Sequence, residues 1–153
     1  VGEIARRLGG LFAEHETSVV LTHAYEGGHP DHDATRFAVR SACRLMGVRA
    51  PAVVEMTGYH AGPDGSMETG RFFSGQDGDL VVALDGREQV LKRRMLDCFV
   101  SQVATLAPFG VEHETFRRAP DYDFGAPPDE GTLHYERFDW GMDGPRWRSL
   151  VPA

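Results

Sequence analysis

The feature that most constrains this chain is a three-part run: Ser18-Val19-Val20-Leu21-Thr22, then a polar, glycine-rich stretch from His23 to Asp33, then a helical pattern opening on Pro30. A short β-branched apolar run reads as a strand buried on both faces. Gly27-Gly28 supplies the backbone freedom of a loop. Pro30 loses nothing at a helix start, where its N–H would have no partner, and Asp31 and Asp33 favour the positive end of the helix. Apolar positions at Phe37, Ala38, Ala42, Leu45 and Met46 carry that helix to a stop at Gly47. Such a strand, loop and helix belong to an α/β fold, whose ligands sit beyond the carboxyl ends of the strands.

The flanking sequence extends the pattern. Ile4, Leu8, Leu11 and Phe12 line one face of a first helix, weakened by Gly9 and Gly10. Pro51 to Met56 predicts a second, parallel strand, and Thr57 to Gly70 a long loop. Arg71 to Ser74 and Asp79 to Leu84 are two further strand candidates. A helix is predicted from Arg87 to Leu106, with Leu91, Met95, Phe99, Val103 and Leu106 turned to a core and Pro108 and Gly110 beyond its end. From Val111 the chain reads as irregular, an aromatic-anchored strap across one domain.

The chain has 153 residues, enough for one domain with a substantial core. It offers no apolar run long enough for a membrane span, and its net charge of -7 argues against a nucleic-acid partner. No secretory leader pattern is visible. Cys43 and Cys98 fall in predicted helices without CxxC spacing and read as buried free thiols, which fits a reducing, cytoplasmic setting.

His29 and His32, three apart at a helix start, can face one crevice, with Glu26, Asp31 and Asp33 close by in sequence. Imidazole and carboxylate together suit zinc, but a catalytic zinc site needs three protein ligands and an open fourth position. From the residues alone, three readings stand: a metal or catalytic site, a hydrogen-bonded loop cap, or a solvated helix start. His23, at the end of the strand, is a candidate for shaping the pocket, whereas His15, His60, His113 and His134 have no ligand-type partners at useful spacing.

The segment Thr22 to Ala34, with Gly27-Gly28-His29-Pro30-Asp31-His32 at its centre, resembles a signature of the PIG-L and LmbE-like zinc-dependent N-acetylglucosaminyl de-N-acetylases. The stretch with Lys92 and Ser101-Gln102 is also similar to that family, as are Glu114-Thr115-Phe116 and Tyr122-Asp123-Phe124 ahead of Pro127-Pro128. The resemblance implies that residues 1–153 are the C-terminal portion of one deacetylase domain. The implied fold is three-layer α/β/α with a mostly parallel, Rossmann-like sheet lacking its N-terminal strands.

The implied activity is metal-dependent hydrolysis that removes an acetyl group from an N-acetylated small molecule or sugar conjugate. His32 would be a zinc ligand. His29 would stabilise the oxyanion or protonate the leaving amine, and Asp31 would orient a histidine. Glu26, Gly27, Gly28 and Gln102 would contact substrate. The family's other motif, of His-Pro-Asp-Asp type, supplies the remaining zinc ligands and the general base and is absent from this sequence, so the zinc site in this chain is incomplete. An N-terminal polypeptide or a homo-oligomer would then complete it. The competing expectation is an inactive fragment or a non-catalytic binding or structural subunit.

Overall fold

The computed structural model describes residues 2–73 and 78–151. Helix α1 (Gly2–Glu14) leads into strand β1 (Val19–His23), which ends at the predicted loop. Helix α2 (Pro30–Met46) carries Pro30 in its first turn with Asp31 and Asp33, as its sequence requires. It stops at Gly47, whose φ of 59° suits a residue without a β-carbon. Strand β2 (Ala52–Met56) follows, then a hairpin of β3 (Tyr59–Ala61) and β4 (Met67–Thr69), strand β5 (Leu80–Ala83) and helix α3 (Gly86–Asp97). A 3-10 turn at Val100–Gln102, the short helix α4 (Val103–Leu106) and strand β6 (His113–Arg118) come next. The chain to Val151 is a strap containing a 3-10 turn, His134–Arg137, and helix α5 (Gly144–Ser149).

The elements form an α/β/α layered domain, but the expectation of a mostly parallel sheet is wrong. The main sheet has the order β1-β2-β6-β5. Only β1 and β2 run parallel; β6 is antiparallel to both β2 and β5. The cause is β6, a strand that lies in the stretch read as irregular. Its sequence, His113-Glu114-Thr115-Phe116-Arg117-Arg118, buries Thr115 and Arg117, so the alternation that marks a half-buried strand is present in burial and absent in hydropathy.

The register divides the sheet into two unlike faces. One carries Thr22, Glu55, Arg117 and Thr115, all buried, on the side where α2 supplies Arg36. The other carries Val19, Leu21, Val54, Leu80 and Val82. Val19 and Leu21 are 55% and 53% exposed, so β1 is not buried on both faces as expected. From helix α3, Lys92 pairs with Glu114 of this second face at 2.8 Å and donates to the His113 carbonyl. The outer edge of β1 has no strand partner among the described residues.

Other expectations are corrected locally. The Thr57 to Gly70 loop contains the β3–β4 hairpin. Arg71 to Phe73 is not a strand, and Ser74 lies outside the described residues. The helix expected to end at Leu106 starts on an Asp85/Glu88 capping box and stops at Cys98, where Phe99 leaves helical angles with ψ of 63°. Its supposed core face is open, with Leu91, Met95, Phe99 and Val103 all exposed. Cys98 is exposed and Cys43 half-buried, so neither is the fully buried thiol expected. In α1 only Ala5 is buried, and Gly9 faces Met46 and Ala42, so contact with α2 runs beside the predicted stripe. Among the described residues no helix is long and apolar enough to cross a membrane.

Two features hold these pieces together. Tyr25, Phe37, Phe124 and Trp147 form the aromatic core, where each large ring contributes roughly 1.5–3 kcal/mol by burial. Trp147 also donates its indole N–H to the Pro30 carbonyl at 3.2 Å, which ties the strap to the start of α2. The second feature is Glu55, fully buried, whose Oε1 accepts from Arg36 Nε at 2.6 Å and whose Oε2 accepts from Arg117 Nε at 3.0 Å and the Tyr122 hydroxyl at 2.8 Å. This carboxylate joins β2, α2, β6 and the strap.

Removing its charge takes from Arg36 and Arg117 the buried carboxylate that both of them bind. The expected cost of Glu55→Gln is about 3–5 kcal/mol, read as a lowered urea midpoint with the slope unchanged. A loss below about 1 kcal/mol would mean that the carboxylate holds nothing its surroundings cannot replace.

Candidate functional site

Strand β1 delivers His23 to the edge of the sheet, and α2 begins only seven positions later, so the intervening loop must reverse sharply. Asp33, on the first turn of α2 and fully buried, holds it: Oδ1 accepts from the backbone N–H groups of Glu26 and Gly27, both at 3.2 Å. The strap adds a bond from the His134 N–H to the Gly27 carbonyl at 2.9 Å. Gly27 has φ of 68°, and a β-carbon there would stand 2.6 Å from Leu133 Cδ2. At Gly28 it would run into the Tyr59 carbonyl. In this structure the double glycine admits the strap and the hairpin to the loop.

Three imidazoles meet at this point. His32 stacks on His23 with ring centroids 3.9 Å apart and planes 2° from parallel, and His29 lies 5.2 Å from His32. Burial first, then the charges of His23 and His29, lower the His32 pKa to about 4; burial, then His29, lowers that of His23. The pair is neutral near pH 7, the state in which an imidazole nitrogen has a free lone pair. Thr22 Oγ1, His23 Nδ1 and Asp33 Oδ2 are buried here without hydrogen-bond partners.

His29 caps α2. Its Nδ1 accepts from the Asp31 N–H at 3.1 Å, so in the neutral ring the proton sits on Nε2. Asp31 Oδ2 is 3.8 Å from the same Nδ1, with a side chain 88% exposed, and this longer contact is secondary to the capping bond. The Glu26 carboxylate, 6% exposed, accepts from the Phe73 N–H at 2.8 Å, and burial raises its pKa. Gln102 lies exposed in its 3-10 turn, and its backbone N–H bonds to Phe99 rather than to any part of the loop.

Several groups at the site gave no sequence signal, because they come from distant segments. Tyr59 meets His32 edge-on at 5.5 Å and His134 at 5.3 Å. His60 and His134 are both buried, with His60 Nε2 and His134 Nδ1 lacking partners. Trp140 approaches the His29 ring at 5.0 Å. Aromatic density in the strap was legible, but not which rings would reach the histidines.

The donor set does not make a complete zinc centre. Among the described residues no group of three or more His, Cys, Asp or Glu side chains is placed to hold a metal ion. His32 is suitably neutral, yet Asp31 points to solvent and Glu26 is engaged by Phe73. The niche lined by His23, Glu26, Gly28, His32, Asp33 and Tyr59 is too tight for a water molecule. A cleft of about 680 Å³ lies elsewhere, between α1, α2 and the strap, and no histidine lines it. No family model matches the chain, and no curated protein or solved structure matches it significantly.

The two perturbed groups of the first turn oppose each other in their effect on stability. For His32, the unfolded state binds more protons between about pH 4 and 6.5, so its contribution is complete above 6.5 and is lost as pH falls. For Asp33, whose burial raises its pKa to about 7, the folded state holds the proton, so its contribution is complete below 3.8 and is lost as pH rises towards 7. The stability of the wild type relative to Asp33→Asn is therefore expected to decline from pH 4 to 7 in urea titrations. A difference independent of pH would contradict a buried, neutral Asp33, and an NMR midpoint for His32 near 6.5 would contradict its desolvation.

Proposed function

We propose that this chain carries the reaction loop of a hydrolase that removes an acetyl group from an N-acetylated sugar or related amide, in kinship with the LmbE-like de-N-acetylases. The observation that carries the reading is His29, held at the mouth of the loop with its Nε2–H edge turned away from the capping bond, beside a neutral His32–His23 pair. Amide hydrolysis builds negative charge on the carbonyl oxygen, and a fixed donor aimed at that oxygen lowers the barrier. His29 fills that role through Nε2–H without first becoming an imidazolium. Protonating Nδ1 would break the helix cap, so stabilising the oxyanion suits this geometry better than donating a proton from Nδ1. Asp31 then acts on His29 by its charge and through its own N–H.

Zn2+ belongs to this proposal only with donors from outside the described residues, brought by an N-terminal polypeptide or a second copy, and no step is assigned to it. A cytoplasmic setting goes with the same reading. The second reading is a non-catalytic binding or structural subunit, favoured by the absence of a three-donor group among the described residues and by the closed niche.

Acetate release from an N-acetylglucosaminide, assayed with and without added Zn2+ on the protein with any chains that copurify, tests the choice. His29→Gln is expected to lower turnover by about 10²–10³-fold while stability falls by only about 1 kcal/mol, as for a lost helix cap. Turnover equal to wild type would remove His29 from the reaction, and no release by the wild type under either condition would favour the subunit reading.

A further inference from the structure

Around His29 and His32 six rings close on themselves. His29 meets Trp140 at 5.0 Å, Trp140 stacks on Phe138 at 4.6 Å with planes 12° apart, and Phe138 meets His134 at 5.2 Å. His134 meets Tyr59 at 5.3 Å, Tyr59 meets His32 at 5.5 Å, and His32 returns to His29 at 5.2 Å. Four of these six rings pack inward or half inward. Phe138 and Trp140 do not: they remain 42% and 48% exposed.

Two large rings left open in a strap that otherwise buries Phe124, Tyr135 and Trp147 need an account, and looseness of the segment does not provide one. Glu136 clips its two ends, Oε2 accepting from the Leu133 N–H at 3.0 Å and Oε1 from the Gly144 N–H at 2.7 Å. Between them, Tyr135 is 1% exposed, the Arg137 guanidinium reaches the Gly65 carbonyl on the β3–β4 hairpin, and the Trp140 N–H bonds to the Phe138 carbonyl at 2.8 Å. The open rings are presented on a supported backbone, so their solvent-facing surface is already organised for contact.

We infer that Phe138 and Trp140 form the subsite for the pyranose ring of the substrate, holding its apolar C–H face while His29 faces the acetamide. This rests on the hydrolase reading above. Aromatic rings bind sugars because each sugar ring has an apolar face bounded by hydroxyls that need polar neighbours. One such neighbour is present: the exposed Asp31 carboxylate stands beside His29, whose ring meets Trp140. An exposed carboxylate beside the rings disfavours a fatty acyl chain, which cannot hydrogen-bond to it, and repels an anionic ligand. A neutral, polyhydroxylated ring satisfies both surfaces.

The chain has only two tryptophans, and Trp147 is buried with its indole N–H bonded to Pro30, so the two indole N–H signals in a 15N-labelled sample report different places. Titration with methyl N-acetyl-β-glucosaminide is expected to shift the Trp140 signal and leave that of Trp147 in place. N-acetylethanolamine, with the same acetamide and no ring, is expected to move neither. Trp140→Ala should weaken saccharide binding about tenfold, and Trp140→Phe should keep most of it. Because Trp140 is half exposed, the alanine variant should fold, and the Trp147 signal verifies that it has.

An equal response to the acyclic amide, no shift of Trp140, or undiminished binding by Trp140→Ala would each overturn the subsite. Binding needs no turnover, which separates the two readings. Saccharide binding at Trp140 without acetate release would sink the hydrolase and leave the subsite standing as a sugar-binding surface. Acetate release with the same KM in Trp140→Ala would sink the subsite and leave the hydrolase.

Discussion

The fold hangs on a carboxylate with no exposure to water. Glu55 accepts from Arg36 on α2, from Arg117 on β6 and from Tyr122 on the strap, so one side chain of β2 fixes the helix that begins at His29, the neighbouring strand and the segment that later crosses the loop. Desolvating such a group is unfavourable unless every partner arrives together. The same network explains why the covered face of the sheet is polar. Arg117 sits over the Phe72 ring at 3.9 Å, and Arg36 lies near the Tyr122 and Phe124 rings, so the guanidiniums fill space that aliphatic side chains occupy in most sheets.

That inversion marks where sequence reasoning succeeds and where it stops. β1, the loop and α2 were legible because local chemistry determines them: β-branched residues, a glycine pair, a proline and two acids at a helix start. β6 was not legible, because its inward positions are threonine and arginine, which hydropathy assigns to solvent. Missing that strand also removed the one element that makes the sheet mostly antiparallel. The α3 region failed in the opposite sense. Its apolar positions were read as facing a core, and in the structure they face none, so the periodicity was real while its partner is not among the described residues.

The candidate site shows the same division. His29 and His32 could be picked out from their spacing, and the proximity of His23 follows from the strand ending there. What spacing could not supply is the state of these rings. The low basicity of His32 and His23 comes first from burial and then from neighbouring imidazoles, and the Tyr59 ring packed on His32 comes from a segment that sequence does not connect to the loop. Asp33 was counted as one more carboxylate for chemistry, yet its carboxyl is tied to the N–H groups of the loop, and burial, against the pull of those bonds, keeps its proton on. Glu26 likewise turned inward, towards Phe73.

The strand that leads to the histidines is also an edge of the sheet, with no strand partner among the described residues. A strand laid along β1 would stand about 4.8 Å away, and its last residues would come alongside His23 and the mouth of the loop. Joining the sheet and reaching the site would then be a single event.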